Sequence, residues 1–153
     1  MKAREIMTER PACCTPEDTI ESAARLMEQH DCGCIPVVRA TSDQSVVGVV
    51  TDRDIALRGV GQGRGRETRV QEVMTASPVC CGTQAELRDV EDVMSDRQIR
   101  RVIVVDDAGC CVGIVAQADL ARAAEDHRGL TDAEVGRLVE KISEPAREPV
   151  WRL

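Results

Sequence analysis

The sequence predicts an α+β fold in which two pseudo-symmetric copies of one unit, ordered strand, helix, strand, strand, helix, pack as a single body followed by a C-terminal helix. Three observations predict it. The chain repeats against itself at a nearly constant offset. Each copy carries an apolar face at helical period. Behind each helix stand two short apolar runs joined by a polar turn.

Glu5-Ile6-Met7-Thr8 returns as Glu72-Val73-Met74-Thr75, Pro11 as Pro78, Cys13-Cys14 as Cys80-Cys81, and Met27 as Met94, each 67 positions on. Ile35-Pro36-Val37-Val38 returns as Val102-Ile103-Val104-Val105 in the same register. The offset then falls to 65, where Gly48-Val49-Val50 meets Gly113-Ile114-Val115 and Asp54-Ile55-Ala56 meets Asp119-Leu120-Ala121. The second copy therefore has a loop two residues shorter.

In the first copy, T-P-E-D-T-I-E-S-A-A-R-L-M-E-Q-H-D supplies a helix start at Asp18 or Thr19, and Ile20, Ala23, Ala24 and Met27 recur along one face. The runs C-I-P-V-V and S-V-V-G-V-V follow, with A-T-S-D-Q as the turn between two strands, and a helix from near Asp52 closes the unit. The second copy has Leu87, Val90, Val93 and Met94 on its helix, then R-V-I-V-V and C-C-V-G-I-V joined through D-D-A-G, and a last helix from about Gln117. A unit of some 55 residues is marginal alone, so the copies are expected to share a core. The division is residues 2–60 for the first repeat, 61–69 for a Gly- and Arg-rich linker, 70–125 for the second repeat, and 126–153 for a C-terminal helix and tail. In that last segment Thr131-Asp132-Ala133-Glu134 is a capping box, Val135, Leu138, Val139 and Ile142 form one helix face, and the prolines of S-E-P-A-R-E-P end the helix before Trp151.

Composition narrows the function. The chain has 153 residues and a formal charge of −7, which opposes binding to nucleic acid or an anionic membrane surface. No apolar run approaches a membrane span, and the N-terminus lacks a secretory signal, so a cytoplasmic location is expected. There is no Phe or Tyr and a single Trp, so the core is built from aliphatic residues, Met, Ala and Cys. Eight cysteines, Cys13, Cys14, Cys32, Cys34, Cys80, Cys81, Cys110 and Cys111, are expected to pack as small reduced hydrophobes. Cys32 and Cys34 would share one face of an extended segment. No C-x-x-C occurs, and His30 and His127 stand outside ligand spacing, so no metal site is expected. No nucleophile with a base, paired acids or P-loop appears, so no catalysis is expected.

With these pieces in order the chain resembles a tandem pair of cystathionine-beta-synthase (CBS) domains, or Bateman module, and is most similar to small stand-alone bacterial proteins made of little else. The resemblance covers about residues 2–125. It is carried by R-E-I-M-T and Q-E-V-M-T, C-I-P-V-V and R-V-I-V-V, and G-V-V-T-D-R-D-I-A and G-I-V-A-Q-A-D-L-A. It implies two clefts between paired domains, binding of AMP, ADP, ATP or S-adenosylmethionine, disc-shaped homodimers, regulation of a further protein, and no cofactor or catalysis by the module itself.

Within G-V-V-T-D-R-D-I-A, a strand that ends at Thr51 and a helix with Asp54 in its first turn make a corner rich in free amides. A hydroxyl there can donate to phosphate, and a carboxylate can accept both hydroxyls of a ribose. The family gives its G-x-x-T-x-x-D pattern that role, and Gly48, Thr51 and Asp54 match it. The same spacing is also a capping pattern that starts a helix with no ligand at all. In the second copy Ala116 replaces the hydroxyl while Asp119 keeps the acid, which puts its phosphate contact in doubt. By resemblance, adenine is walled by Cys14, Cys34, Ile35 and Pro36, and in the second copy by Cys81, Arg101, Val102 and Ile103. Arg53, Arg100 and Arg101 are candidate phosphate partners or, equally, solvated surface charges, and Pro36 can serve as an edge-strand device alone. The leading function is a sensor of adenine nucleotide. A redox- or metal-responsive thiol protein and a structural dimerisation unit with empty sites are the alternatives.

Overall fold

A computed structural model describes residues 1–125 and 131–144. In chain order these form β1 (Thr8–Glu9), α1 (Ile20–Gln29), β2 (Cys34–Ala40), β3 (Asp43–Thr51), α2 (Asp52–Asp54), β4 (Thr75–Ala76), β5 (Cys80–Gly82), α3 (Leu87–Arg97), β6 (Arg101–Val105), β7 (Cys111–Ala116), α4 (Gln117–Glu125) and α5 (Asp132–Ser143). The Trp151 tail and the two prolines expected to end the last helix lie outside the described residues.

Local chemistry starts each helix. Thr19 accepts from the Ser22 amide at 3.1 Å to cap α1, while Asp18 accepts from Thr15 N at 2.7 Å in the preceding turn. Ile20, Ala23 and Met27 of α1 are buried, but Ala24 is exposed, so the stripe is narrower than the sequence predicts. Thr131 and Glu134 form the expected capping box of α5. The helix opened by α2 widens into a π-helical stretch, Ile55–Gly59, tightens to a 3-10 turn, Val60–Gln62, and stops at Gly63, whose φ of 71° suits a residue without Cβ.

The strands make two sheets, one ordered β1-β7-β6-β5 and the other β2-β3-β4. β5 runs parallel to β6 and the other pairs are antiparallel. In the first copy the strand equivalent to β5 shrinks to one bridge, Cys14 with Val37. The internal symmetry extends to backbone strain. Arg10 and Ser77 (φ 47° and 50°) and Asp31 and Gln98 (φ 48° and 51°) are equivalent pairs in the left-handed region, where non-glycine residues are uncommon.

The opening segments are exchanged. β1 pairs with β7, Thr8 facing Ile114, while β4 pairs with β3, Thr75 facing Val49. Each E-x-M-T motif thus becomes an edge of the other copy's sheet. Side chains follow: Ala3, Ile6 and Met7 enter the core of Leu87, Val90, Met94, Val104 and Leu120, and Val70, Val73 and Met74 enter that of Ile20, Ala23, Met27, Ile35 and Val37. Gly48 lets the exchanged segment lie close, because a Cβ there would stand 2.6 Å from Met74 Sδ and displace that side chain, and Gly113 meets Met7 in the same way. The two halves also join at their hairpins, where Val46 N donates to Gly109 O at 3.1 Å.

Two expectations about cysteine need correction. Only Cys14 and Cys34 are buried; Cys80 is exposed and the remaining five are partly exposed. Neighbouring residues in an extended chain point to opposite sides, so of Cys13-Cys14 only Cys14 can enter the core. Cys32 does not share a strand face with Cys34, because it lies in the turn before β2 begins.

Candidate functional site

β2 and β3 place the first site. Cys34 stands directly opposite Thr51, the last residue of β3, and Pro36 opposite Val49. Cys14 lies across from this strand start, its amide donating to Pro36 O at 3.1 Å and its carbonyl accepting from Val38 N at 2.9 Å. Ile35 and Val37 point to the other face, into the core against α1, so Ile35 can offer a ligand only its backbone.

At the corner, Thr51 Oγ1 accepts from Asp54 N at 3.1 Å, while Asp54 Oδ2 accepts from Thr51 N at 3.0 Å and from the Thr51 hydroxyl at 2.9 Å. The capping arrangement is therefore fully made. It uses one carboxylate oxygen. Asp54 Oδ1 faces only the Arg58 guanidinium at 3.8 Å. Arg58 in turn donates to Val73 O (3.1 Å) and Met74 O (3.2 Å), tying the first helix end to the second opening motif. Arg53 is exposed on the outer side of the same turn.

The second copy supplies the opposite wall. Val102 and Val104 enter the core of their own half, so Arg101 and Ile103 occupy the alternate face of β6, as Cys34 and Pro36 do on β2. Arg101 reaches close enough for its charge to act on Cys34. That thiol is pushed up to about 12, chiefly by burial, with the Arg101 charge opposing and the Asp54 and Asp52 charges adding to the rise. Thr51, Asp54, Cys34 and Arg101 are thus brought together, whereas Arg53 and Ile35 turn elsewhere.

In the equivalent second corner, Asp119 Oδ2 accepts from Ala116 N at 2.7 Å. Its other oxygen is held by Arg122, and Asp119 is buried. Sequence reasoning missed Arg122. The signal was an arginine three residues after the acid, a helical spacing that favours an ion pair. It also missed a surface cleft of about 520 Å3, lined by Arg4, Met7, Glu9, Arg10, Thr83, Cys111 and Val112, at the end of β7 away from Asp119. Its walls come from the exchanged opening segment, which the repeat alone could not place. Among the described residues no three His, Cys, Asp or Glu side chains gather as metal ligands do, and no helix is long and apolar enough to cross a membrane.

Two fused α+β units with exchanged edge strands and acid-bearing corners define a tandem-repeat module. The chain belongs to the CBS domain family, whose model matches residues 3–60 and 70–126. It is similar to the CBS domain-containing protein YhcV of Bacillus subtilis, at 45% identity over 119 residues, 77% of this chain and 81% of that one. Hypoxic response protein 1 of Mycobacterium tuberculosis is 33% identical over 126 residues, covering 82% and 86%. A crystal structure of Hypoxic Response Protein I with two coordinated zinc ions superposes with a TM-score of 0.72 at 32% identity, over 80% of this chain and 98% of that one. The CBS pair of protein MJ0100, in complex with 5'-methylthioadenosine and S-adenosyl-L-methionine, superposes with a TM-score of 0.74 at 26% identity, over 83% and 98%.

Proposed function

We propose that the chain is a non-catalytic regulatory module that binds one adenosine compound, AMP, ADP, ATP or S-adenosylmethionine, at the seam beside Asp54. The observation that carries this reading is the half-used carboxylate. Asp54 spends Oδ2 on the cap and keeps Oδ1 turned to a partner 3.8 Å away, which suits an acceptor for ribose hydroxyls. Arg101 offers a guanidinium for phosphate, the Thr51 hydroxyl can join it by turning from Asp54 Oδ2, and Cys34 and Pro36 give adenine an apolar wall, with Cys14 buried behind them beside Ile35. The adenosine compounds held by MJ0100 support the ligand class. Occupancy would be passed on by a difference in affinity between two arrangements of the halves, read by a further protein in the cytoplasm. A homodimer is the assembly we propose for it, because Leu57 and Val60 stand exposed on the helix that follows Asp54.

A thermal-shift titration tests the reading. A ligand at 100 times its dissociation constant should stabilise by about 2.7 kcal/mol. D54A should lose that shift and D119A should keep it. If none of the four compounds at millimolar concentration moves the midpoint, the corner is a helix cap only, and the structural dimerisation reading, favoured by the complete Thr51–Asp54 capping box, takes its place.

A further inference from the structure

Two thiols far apart in the chain, Cys13 and Cys111, are brought together where the first opening segment runs beside β7. β1 lies along β7 and the run continues as Arg10 N donates to Val112 O at 3.1 Å, so the segment leaving β1 passes the first residue of β7. Cys13, three residues beyond Arg10, is brought beside Cys111 there, closely enough for the two thiols to act on each other's ionisation, their own protons pointing to Pro11 O at 3.3 Å and Gly113 O at 3.9 Å. Both are partly exposed, and Cys111 opens onto the cleft that Arg4 and Arg10 also line. We propose that Cys13 and Cys111 are a peroxide-responsive dithiol whose oxidation forms a disulfide between the exchanged opening segment and the last strand of the second copy. The pairing does not rest on ligand binding at Asp54.

The chemistry divides between the two sulfurs. The contact with Cys111 favours the Cys13 thiolate, while the same contact and burial raise Cys111. In the scheme proposed, Cys13 attacks first. It forms an S–O bond with one oxygen of a hydroperoxide, the O–O bond breaks, and the departing oxygen takes a proton, leaving water or an alcohol and a Cys13 sulfenic acid. Cys111 then attacks the Cys13 sulfur as its proton leaves, the S–S bond forms, the S–O bond breaks, and hydroxide departs as water. Two thiols lose two electrons and the peroxide gains them. Cys80, whose thiol also lies near Cys111, is the competing partner.

Hydrogen peroxide treatment, alkylation and tryptic mass spectrometry without reductant test the pairing. Trypsin leaves Cys13 in the peptide 5–25, Cys80 in 70–88 and Cys111 in 102–122. The expected product is a dithiothreitol-reversible link between 5–25 and 102–122, lost in C13S and C111S and kept in C110S and C80S. The linked protein should melt at a higher temperature than the reduced one, and C13S should show no such difference. A link between 70–88 and 102–122, a link that survives in C13S, or oxidation that yields only unlinked sulfinic acid overturns the proposal.

Discussion

The two copies share a backbone plan down to their strained residues, yet they differ in what covers them and in how their acids are employed. In the second copy α5 lays Leu138 and Ile142 on the core of α3 and α4, and Arg122 closes the free oxygen of Asp119. In the first copy no helix takes the place of α5 among the described residues, Leu57 and Val60 are 48% and 70% exposed, and Asp54 keeps an oxygen without a close partner. One duplicated unit has become a closed, braced half and an open half. Stability and binding are thereby separated, since residues that brace one half are not those that would hold a ligand in the other.

The largest effects should fall on the braced half. Leu138 is 1% exposed, so L138A should destabilise the protein by about 2–5 kcal/mol through lost transfer energy and a cavity that neighbouring side chains cannot close. V60A on the open half should stay within about 0.5 kcal/mol. Urea unfolding of both variants checks the contrast, and equal losses would mean that the first helix is covered after all.

Alkaline pH should reverse the asymmetry, because the two buried thiols belong to the first copy. Burial raises both Cys14 and Cys34 to about 12, so the folded state favours the protonated thiol. Their stability is fully present below about pH 9, where the unfolded thiols also keep their protons. It is lost as pH rises from there towards 12, by at most about 1.4 kcal/mol per unit for each thiol. Unfolding curves at pH 8 and pH 10.5 should diverge more in the parent than in C34A. The absence of tyrosine leaves thiolate absorbance free to report the ionisation.

What the sequence disclosed follows from the range of the forces involved. The helix faces, the hairpins and the Thr131 box are local patterns, and duplication made each of them visible twice. The exchange of Met7 and Met74 was not visible, because two-residue strands carry no period, and a copy that opens a repeat in sequence need not pack within it. The Thr51-x-x-Asp54 corner was legible as a motif but not as a choice between cap and ligand site, since both uses need the same atoms. The Cys13–Cys111 contact depends on strand register between residues far apart in the chain, which composition cannot show.

Removing the hydroxyl of the first corner should cost less than L138A or the alkaline shift. T51A breaks the bond from Asp54 N and releases Asp54 Oδ2 from one of its two donors, so a loss of about 1 kcal/mol is expected by urea unfolding. The variant resembles the second copy, where Ala116 stands at the same place and only a backbone donor remains. If T51A keeps ligand affinity while losing stability, the hydroxyl is a cap alone and phosphate recognition falls to Arg101.

The smallest stability change, and the sharpest comparison, comes from converting the closed corner into the open one. A116T restores the hydroxyl, and R122L places at the equivalent position the residue that the first copy carries as Leu57. The added cap should contribute up to about 1 kcal/mol, set against a similar loss from leaving the buried Asp119 oxygen without its arginine. Net stability should move by a few tenths of a kcal/mol. The informative quantity is stoichiometry. Calorimetric titration of the double variant should show a second adenosine site where the parent shows one, because the Asp119 oxygen is freed and a phosphate donor is supplied at once. A single site in both proteins would mean that Arg122 is not what closes the second corner, and that the burial of Asp119 by its own core excludes the ligand.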